Sequence, residues 1–271
     1  MNTYIYLIYI FSFLISFINI SNISAQLIAI ENRKYPTTLS VYNIFNIISQ
    51  FSATLMMPIF AIYLENRINI NPSSLIMPFR LNLFFSGIGG IFGAIFIPTI
   101  GKFMQNFVEK MYKNMTFIFL FKYNSYHKIK LYLIFKNPFY VIRSLKKINF
   151  KEQPKLILLI NFIIYLIITS SLTSCTYASF LNPNYRSTSF ALLGVINGLA
   201  SIIFLLFLEP YNATLIDKYY NEKITKIEFN NFYKLTIIFR ILGIFSSQFL
   251  FIPLSKLVLS ISLFLNHLYY L

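Results

Sequence analysis

Three arginines in or beside long apolar runs are the side chains best placed to do chemistry. Arg80 opens a glycine-rich apolar run, Arg186 follows a tight turn, and Arg240 lies about one helical turn inside a third run. An arginine at membrane depth costs several kcal/mol unless it is paired or hydrated. Each could therefore bind an anionic group. Arg80 and Arg186 also fit a simpler interpretation, in which the side chains snorkel to the membrane interface.

Carboxamide side chains recur at helical spacing and offer hydrogen bonds rather than charge. Two stripes follow the spacing i, i+3, i+7: Asn19, Asn22 and Gln26, then Asn43, Asn46 and Gln50. Asn197 and Gln248 lie in two later apolar runs. The stripes could face each other or a shared aqueous groove. They could equally be hydrogen-bonding glue between helices, worth roughly 0.6 kcal/mol per contact.

Other chemistry finds no support in the sequence. His127 and His267 are far apart, and Cys175 lies inside an apolar run. The carboxylates lie in predicted loops, and there is no phosphate-cradling motif of the Walker or Rossmann kind. We therefore expect no catalytic site, metal, cofactor or ATP-driven pump.

Composition indicates an integral membrane protein. The 271 residues are 57% hydrophobic and 11% charged, whereas about a quarter of residues are charged in soluble domains. The net charge of +15 does not indicate nucleic-acid binding, because the basic residues collect between the apolar runs, as in cytoplasmic loops.

The apolar runs predict an all-α, polytopic protein with about six transmembrane helices. The predicted spans are residues 3–30, 38–64, 78–101, 156–181, 187–208 and 235–254, followed by a further apolar stretch to Leu271. We interpret the first run as a span and not a cleaved signal, since it lacks a basic start and is too long.

The third predicted span organises the others. Gly89 and Gly93, or Ser86 and Gly90, fall one turn apart and would let a neighbouring helix approach closely. Pro98 removes one helical hydrogen bond, so packed protein or a water-lined cavity must satisfy the freed carbonyl. We expect this helix to be central.

A basic segment, residues 102–155, separates two groups of three spans, residues 1–101 and 156–271. It holds twelve Lys or Arg residues against Glu109 and Glu152, which predicts a cytoplasmic location and both termini outside. Residues 137–148 have the pattern of an interfacial amphipathic helix. An ordinary solvated basic loop is the alternative.

Four blocks in order resemble the Amj family of bacterial lipid II flippases, the alternate class unrelated to the MurJ flippases. The blocks are Thr38 to Ile44, Phe79-Arg80-Leu81 continuing to Gly93 through Pro98, Tyr185-Arg186 with Gly194 through Gly198, and Arg240 through Gly243 with Gln248 and Phe251-Ile252-Pro253. They extend over nearly the whole chain. The family has an acidic residue at the position of Asn19 and basic residues at those of Gln26 and Gln50, so this chain carries neutral amides there.

The resemblance implies a flippase that moves lipid II, an undecaprenyl pyrophosphate carrying a disaccharide and peptide, across the bacterial cytoplasmic membrane. Guanidinium groups bind phosphate bidentately. On this hypothesis Arg240 captures the pyrophosphate inside, and Arg80 and Arg186 receive it outside. The amides of Asn43, Asn46, Asn197 and Gln248 would then bind the sugar or peptide.

Two other classes remain open. A secondary transporter of a small solute fits the glycine-rich, broken spans, although the sequence shows no internal repeat. A structural membrane subunit would use the small-residue faces for assembly alone.

Overall fold

The described part of the chain consists of helices joined by short turns, and it contains no strand. The structure, a computed structural model, describes residues 3–32, 34–67, 71–114 and 153–269. The helices are α1 (Thr3–Ser21), α2 (Ile23–Asn32), α3 (Tyr35–Glu65), α4 (Ser73–Asn114), α5 (Lys155–Leu181), α6 (Arg186–Ile203), α7 (Glu209–Tyr220) and α8 (Lys226–Tyr269). Six helical stretches within these residues are long and apolar enough to cross a membrane, which confirms the predicted fold class.

The third and sixth spans are longer than the sequence pattern predicted. Helices α4 and α8 contain 42 and 44 residues, or about 63 and 66 Å at 1.5 Å per residue. The hydrocarbon core is only about 30 Å thick. Helix α4 continues beyond Gly101 to Asn114 because polar residues end a hydrophobic run without breaking a helix. The predicted interfacial helix at residues 137–148 lies outside the described residues.

Two spans are interrupted within the membrane-length stretch. The first divides at Asn22, whose Nδ2 donates 3.0 Å to the Tyr42 carbonyl of α3. The fifth passes through a π-helical turn, Phe204–Leu208, between α6 and α7. Pro210 follows this turn and has no N–H to donate to the Leu206 carbonyl, which favours such a local change of helical pitch.

Glycines set the closest helix contacts. A Cβ at Gly89 would overlap the Phe13 carbonyl oxygen of α1, and one at Gly93 would lie 2.6 Å from the Phe17 oxygen. Gly243 of α8 meets the Phe162 oxygen of α5 in the same way, at 2.5 Å. The pairs α1–α4 and α5–α8 make the most extensive helix contacts. The predicted glycine ladder of the third span is thereby confirmed.

Helix α4 is central, as expected, and α6 is peripheral. Helix α4 packs against α1, α2, α3, α5 and α8. On α6, no described atom lies within 4 Å of a Cβ built at Gly194 or Gly198, and Val195 and Leu199 are exposed. The second GxxxG pair therefore makes no close helix contact within the described residues.

Candidate functional site

A small polar cavity lies between the membrane-length helices. It has a volume of about 110 Å³. Its polar lining comes from α1, α4, α5 and α6: Ser12, Ser16, Asn19, Asn82, Ser86, Thr169, Ser171, Thr173 and Asn197. Helix α3 contributes Ala53, Met56 and Met57. We call this space the polar cavity.

Hydrogen bonds between helices hold the polar cavity together. The Ser12 hydroxyl donates 2.5 Å to Asn82 Oδ1, and Asn82 Nδ2 donates 3.2 Å to Thr173 Oγ1. These three side chains are buried and connect α1, α4 and α5. Because Asn82 uses both ends of its amide in this chain of bonds, it fixes the relative positions of all three helices.

Two further hydrogen bonds extend this wall. The hydroxyls of Ser16 and Ser86 are 2.5 Å apart and join α1 to α4. Ser171 donates 2.8 Å to Asn197 Oδ1 and joins α5 to α6. All of the polar lining side chains are neutral, so the cavity offers hydrogen bonds without the cost of a charge at membrane depth.

An apolar layer borders one end of the polar cavity. Ile20 of α1 and Ile244 of α8 converge on Gly90 of α4, where an added Cβ would lie 3.6 Å from Ile20 Cγ1 and 3.3 Å from Ile244 Cδ1. Both isoleucines are fully buried, and they belong to one core cluster with Ala94 and Ile97. We call Ile20 and Ile244 the isoleucine layer.

A second, larger cavity lies beyond the isoleucine layer. It has a volume of about 330 Å³ and is bounded by α2, the second half of α4 and the start of α8. Lys102 and Gln105 line it from α4, and Lys226 and Asn230 line it from α8. Pro98 lines it too. We call this space the lysine pocket.

Arg240 is buried between α5 and α8, one turn from the polar cavity. Its exposure is 4%, and its Nε donates 3.0 Å to Asn161 Oδ1. The guanidinium carbon lies 4.6 Å from the centre of the Tyr165 ring, which itself lines the polar cavity. Glu209 at the start of α7 attracts Arg240 electrostatically. The guanidinium thus supports the cavity wall through Tyr165 and does not line the cavity.

The other two arginines lie near the N-terminal ends of their helices. Arg80 is near the start of α4, away from Lys102, and Arg186 is at the start of α6, away from the α6–α7 turn. Arg80 is exposed in the second turn of α4. Arg186 is the first residue of α6, and its Nε is buried without a hydrogen-bond partner among the described residues. An unsatisfied guanidinium nitrogen retains the capacity to bind an anion.

The structure places one of the four predicted amides in the polar cavity. Asn197 lines it, whereas Asn43 is exposed and Asn46 half-buried on α3, and Gln248 is half-buried on α8. The two amide stripes are not brought face to face in a single groove. Asn22 bonds to α3 through a backbone carbonyl instead.

The three amides for which the resemblance implied charged residues in the family have different surroundings. Asn19 lines the polar cavity. Gln26 is buried, and its Oε1 has no hydrogen-bond partner among the described residues. Gln50 is exposed on α3.

Sequence reasoning missed Asn82, Ser12 and Ser16 as members of the site. Asn82 interrupts an apolar run just after Arg80, and a lone amide within such a run was the available signal. Several Ser and Thr hydroxyls follow one another in the second half of α5, and this band is visible in the sequence. The partners of Thr173 and Ser171, which are Asn82 and Asn197, lie 91 and 26 residues away.

Comparisons with known proteins agree with the resemblance seen in the sequence. The sequence model of the family described as Amj, Alternate to MurJ, matches residues 11–262. A protein of Bacillus subtilis (strain 168) named lipid II flippase Amj is 25% identical over 223 residues, which cover 80% of this chain and 81% of that protein. No solved structure matches the chain.

Proposed function

This chain belongs to the Amj family, and we propose that it is a flippase that carries lipid II from the inner to the outer leaflet of the bacterial cytoplasmic membrane. The family match and the name of the Bacillus subtilis relative support this function. The protein would act as a transporter and not as an enzyme. The lipid II that it delivers to the outer leaflet would supply peptidoglycan synthesis there.

The observation that carries the proposal is the neutral polar cavity between membrane-length helices. A lipid head group crossing the hydrocarbon region must exchange its hydrogen bonds with water for hydrogen bonds with protein. Hydroxyl and amide groups from four helices provide such partners. They would bind sugar and peptide groups without holding them as tightly as charges would.

The described conformation is closed to a lipid head group. A volume of about 110 Å³ accommodates several water molecules, whereas small-molecule sites begin at roughly 300 Å³. Transport therefore requires α1 or the α5–α6 pair to move away from α4. The short hydrogen bonds of Asn82 and Ser86 are the contacts that such a movement would break or rearrange.

The arginines would act at the two ends of this route. Arg80 and Arg186 would receive the pyrophosphate near the outer face. For Arg240, burial against Asn161 and Tyr165 favours a positioning role beneath the polar cavity; direct capture of the pyrophosphate would require these contacts to open. Asn197 would bind the sugar or peptide in the cavity, and Asn43, Asn46 and Gln248 would do so only in a more open state.

The proposed orientation follows the distribution of basic residues. With both termini outside, the ends of α2 and α4 and the start of α8 face the cytoplasm, together with residues 102–155. The lysine pocket then opens inside and the polar cavity lies further out. The substrate would meet these two regions in that order.

Complementation tests the function. The chain is expressed in a bacterium whose own lipid II flippases can be switched off, and growth and lipid II exposure on the outer leaflet are measured. We expect rescue of both. Absence of rescue by protein that is inserted at a normal level would contradict the proposal.

The small volume of the polar cavity supports one competing function, transport of a small solute. Purified protein in vesicles distinguishes the two when lipid-linked and soluble forms of the same sugar compete for transport. Inhibition by the lipid-linked form alone supports the flippase. Inhibition by the soluble form alone supports the solute transporter.

A further inference from the structure

We propose that the lysine pocket is the capture site for the diphosphate of a polyprenyl-linked lipid at the cytoplasmic face. This inference rests on the proposed function for its orientation and substrate class. In this site Lys102 and Lys226 would pair with the diphosphate oxygens, and the apolar wall of α2 would contact the first isoprene units.

The lining of the lysine pocket has the chemistry of such a ligand. Two ammonium groups come from helices that are far apart in sequence, since Lys102 belongs to α4 and Lys226 opens α8. The carboxamides of Gln105 and Asn230 line the same space, and a carboxamide can both donate and accept hydrogen bonds. Hydrogen bonds that involve an ionised partner are about twice as strong as neutral ones.

Part of the pocket wall is apolar. Leu27 and Ile28 of α2 and Ile97 of α4 line the pocket alongside the lysines. A free phosphate or nucleotide would gain nothing from this wall, whereas an isoprenoid chain attached to a diphosphate would bury against it. The combination therefore selects a lipid that carries its charge directly on the chain.

The size and place of the pocket fit capture better than the polar cavity does. A volume of about 330 Å³ reaches the lower end of the range for small-molecule sites. It accommodates a diphosphate and a short apolar segment, while the sugar and peptide remain in the cytoplasm. Lys102 is half-buried and Lys226 is exposed, and a lysine at such a position can keep its charge near the surface at little cost.

Binding to the purified full chain in phosphatidylcholine nanodiscs tests the charged side of the pocket. The probe is fluorescent geranylgeranyl diphosphate, with geranylgeraniol, inorganic pyrophosphate and phosphatidylglycerol as competitors. We expect Lys102→Gln and Lys226→Gln each to weaken probe binding about tenfold, as loss of a charge-assisted contact does. The matched control is Lys223→Gln, an exposed lysine in the turn before α8, which should bind as the parent does.

A pair of substitutions at one glycine tests the pocket volume without changing charge. An added Cβ at Gly101 would lie 3.6 Å from Ser24 Cβ and 3.9 Å from Ile28 Cδ1, which is ordinary contact. Gly101→Ala should therefore fold normally and weaken binding less than Gly101→Leu, which should fill the pocket and reduce binding at least tenfold. Thermal denaturation of each variant separates loss of the site from loss of the fold.

Three outcomes would overturn the inference: unchanged binding in both lysine variants, equal competition by inorganic pyrophosphate, or equal competition by phosphatidylglycerol. These binding results do not depend on rescue of growth. Rescue by the wild-type chain together with unchanged binding in the lysine variants would overturn the capture site and leave the proposed function standing. Diphosphate-selective binding without rescue would support the site and contradict the function.

Discussion

The two cavities differ in charge, size and the way in which their walls are held. The polar cavity is small and neutral, and hydrogen bonds between four helices close it. The lysine pocket is three times larger, carries two positive charges, and has an apolar wall. On the proposed orientation, this difference matches the depth of the two cavities. A charge is inexpensive near the membrane surface and costly at mid-membrane, so the proposed route would recognise charge at its end and use neutral hydrogen bonds inside.

The isoleucine layer separates the two cavities. Ile20 and Ile244 meet over Gly90 between the two cavities, and both are fully buried. A head group captured in the lysine pocket would have to pass this layer to reach the hydroxyls of the polar cavity. On the proposed function, the layer is the inner gate of a route that is closed in this conformation.

Substitution of alanine for Gly89 and for Gly101 should give the largest difference in stability between two variants of α4. At Gly89 the new Cβ would overlap the Phe13 carbonyl oxygen and force α1 away from α4. This separation would break the hydrogen bond between Ser12 of α1 and Asn82 of α4. We expect a loss of about 1–3 kcal/mol or more in unfolding free energy and loss of transport. At Gly101 the same change meets only ordinary contacts and should stabilise α4 by about 0.5–1 kcal/mol. Thermal denaturation in detergent compares them, and equal stability of the two variants would refute tight α1–α4 packing.

Arg240→Met tests the support beneath the polar cavity. The substitution leaves Asn161 Oδ1 buried without its donor and removes the guanidinium from the Tyr165 ring. We expect a cost of about 1–3 kcal/mol and slower transport. Lys256→Met on the exposed side of the same helix is the control and should be nearly neutral. If Arg240→Met were as stable and as active as the parent, Arg240 would neither position the wall nor capture substrate.

Thr173→Val and Thr54→Val form an isosteric pair inside and outside the polar cavity. Thr173 is buried and accepts from Asn82 Nδ2, whereas Thr54 is exposed and donates to the Gln50 backbone carbonyl of its own helix. We expect Thr173→Val to cost about 1–2 kcal/mol, because the Asn82 amide loses its acceptor, and to slow transport severalfold. Thr54→Val should change stability by less than about 0.5 kcal/mol. Chemical denaturation and a vesicle transport assay measure both, and identical behaviour of the pair would remove the cavity network from the mechanism.

Changing the ionic strength should affect ligand binding at the lysine pocket but not the stability provided by the polar cavity, and this is the smallest of the expected effects. Salt screens exposed charges over about 10 Å at 0.1 M and 3 Å at 1 M. Binding of a polyprenyl diphosphate at the lysine pocket should therefore weaken severalfold between these concentrations. The stability difference between the parent and Thr173→Val should stay the same, since every described residue that lines the polar cavity is neutral. Titrations at the two concentrations test this, and salt-independent binding would contradict a charge-based capture site.

The sequence predicted features that depend on neighbouring residues along one helix. Apolar length predicted the six spans, and small residues one turn apart predicted the close face of α4 at Gly89 and Gly93. The same spacing at Gly194 and Gly198 makes no close contact in the described chain. A small-residue face permits close approach, but the arrangement of all helices decides which faces are used.

The candidate site depended on contacts that local pattern does not determine. Asn161 binds Arg240 from 79 residues away, and Asn82 joins Ser12 across 70 residues. Spacing placed Asn43 and Asn46 on one stripe of α3, yet it could not indicate which helix that stripe would meet. Polar positions in apolar runs can be found from sequence alone; their partners require the fold.

Translocation of fluorescent lipid II by the purified chain in sealed vesicles tests the central claim most directly, with parent and Thr173→Val compared at equal reconstitution. Lipid II labelled on the peptide is placed in both leaflets, and a membrane-impermeant reductant quenches only the outer label. The proposed function predicts that the parent makes nearly all of the label accessible to quenching and that Thr173→Val does so more slowly. Quenching that stops at half of the label with the parent protein, as in empty vesicles, would contradict a flippase.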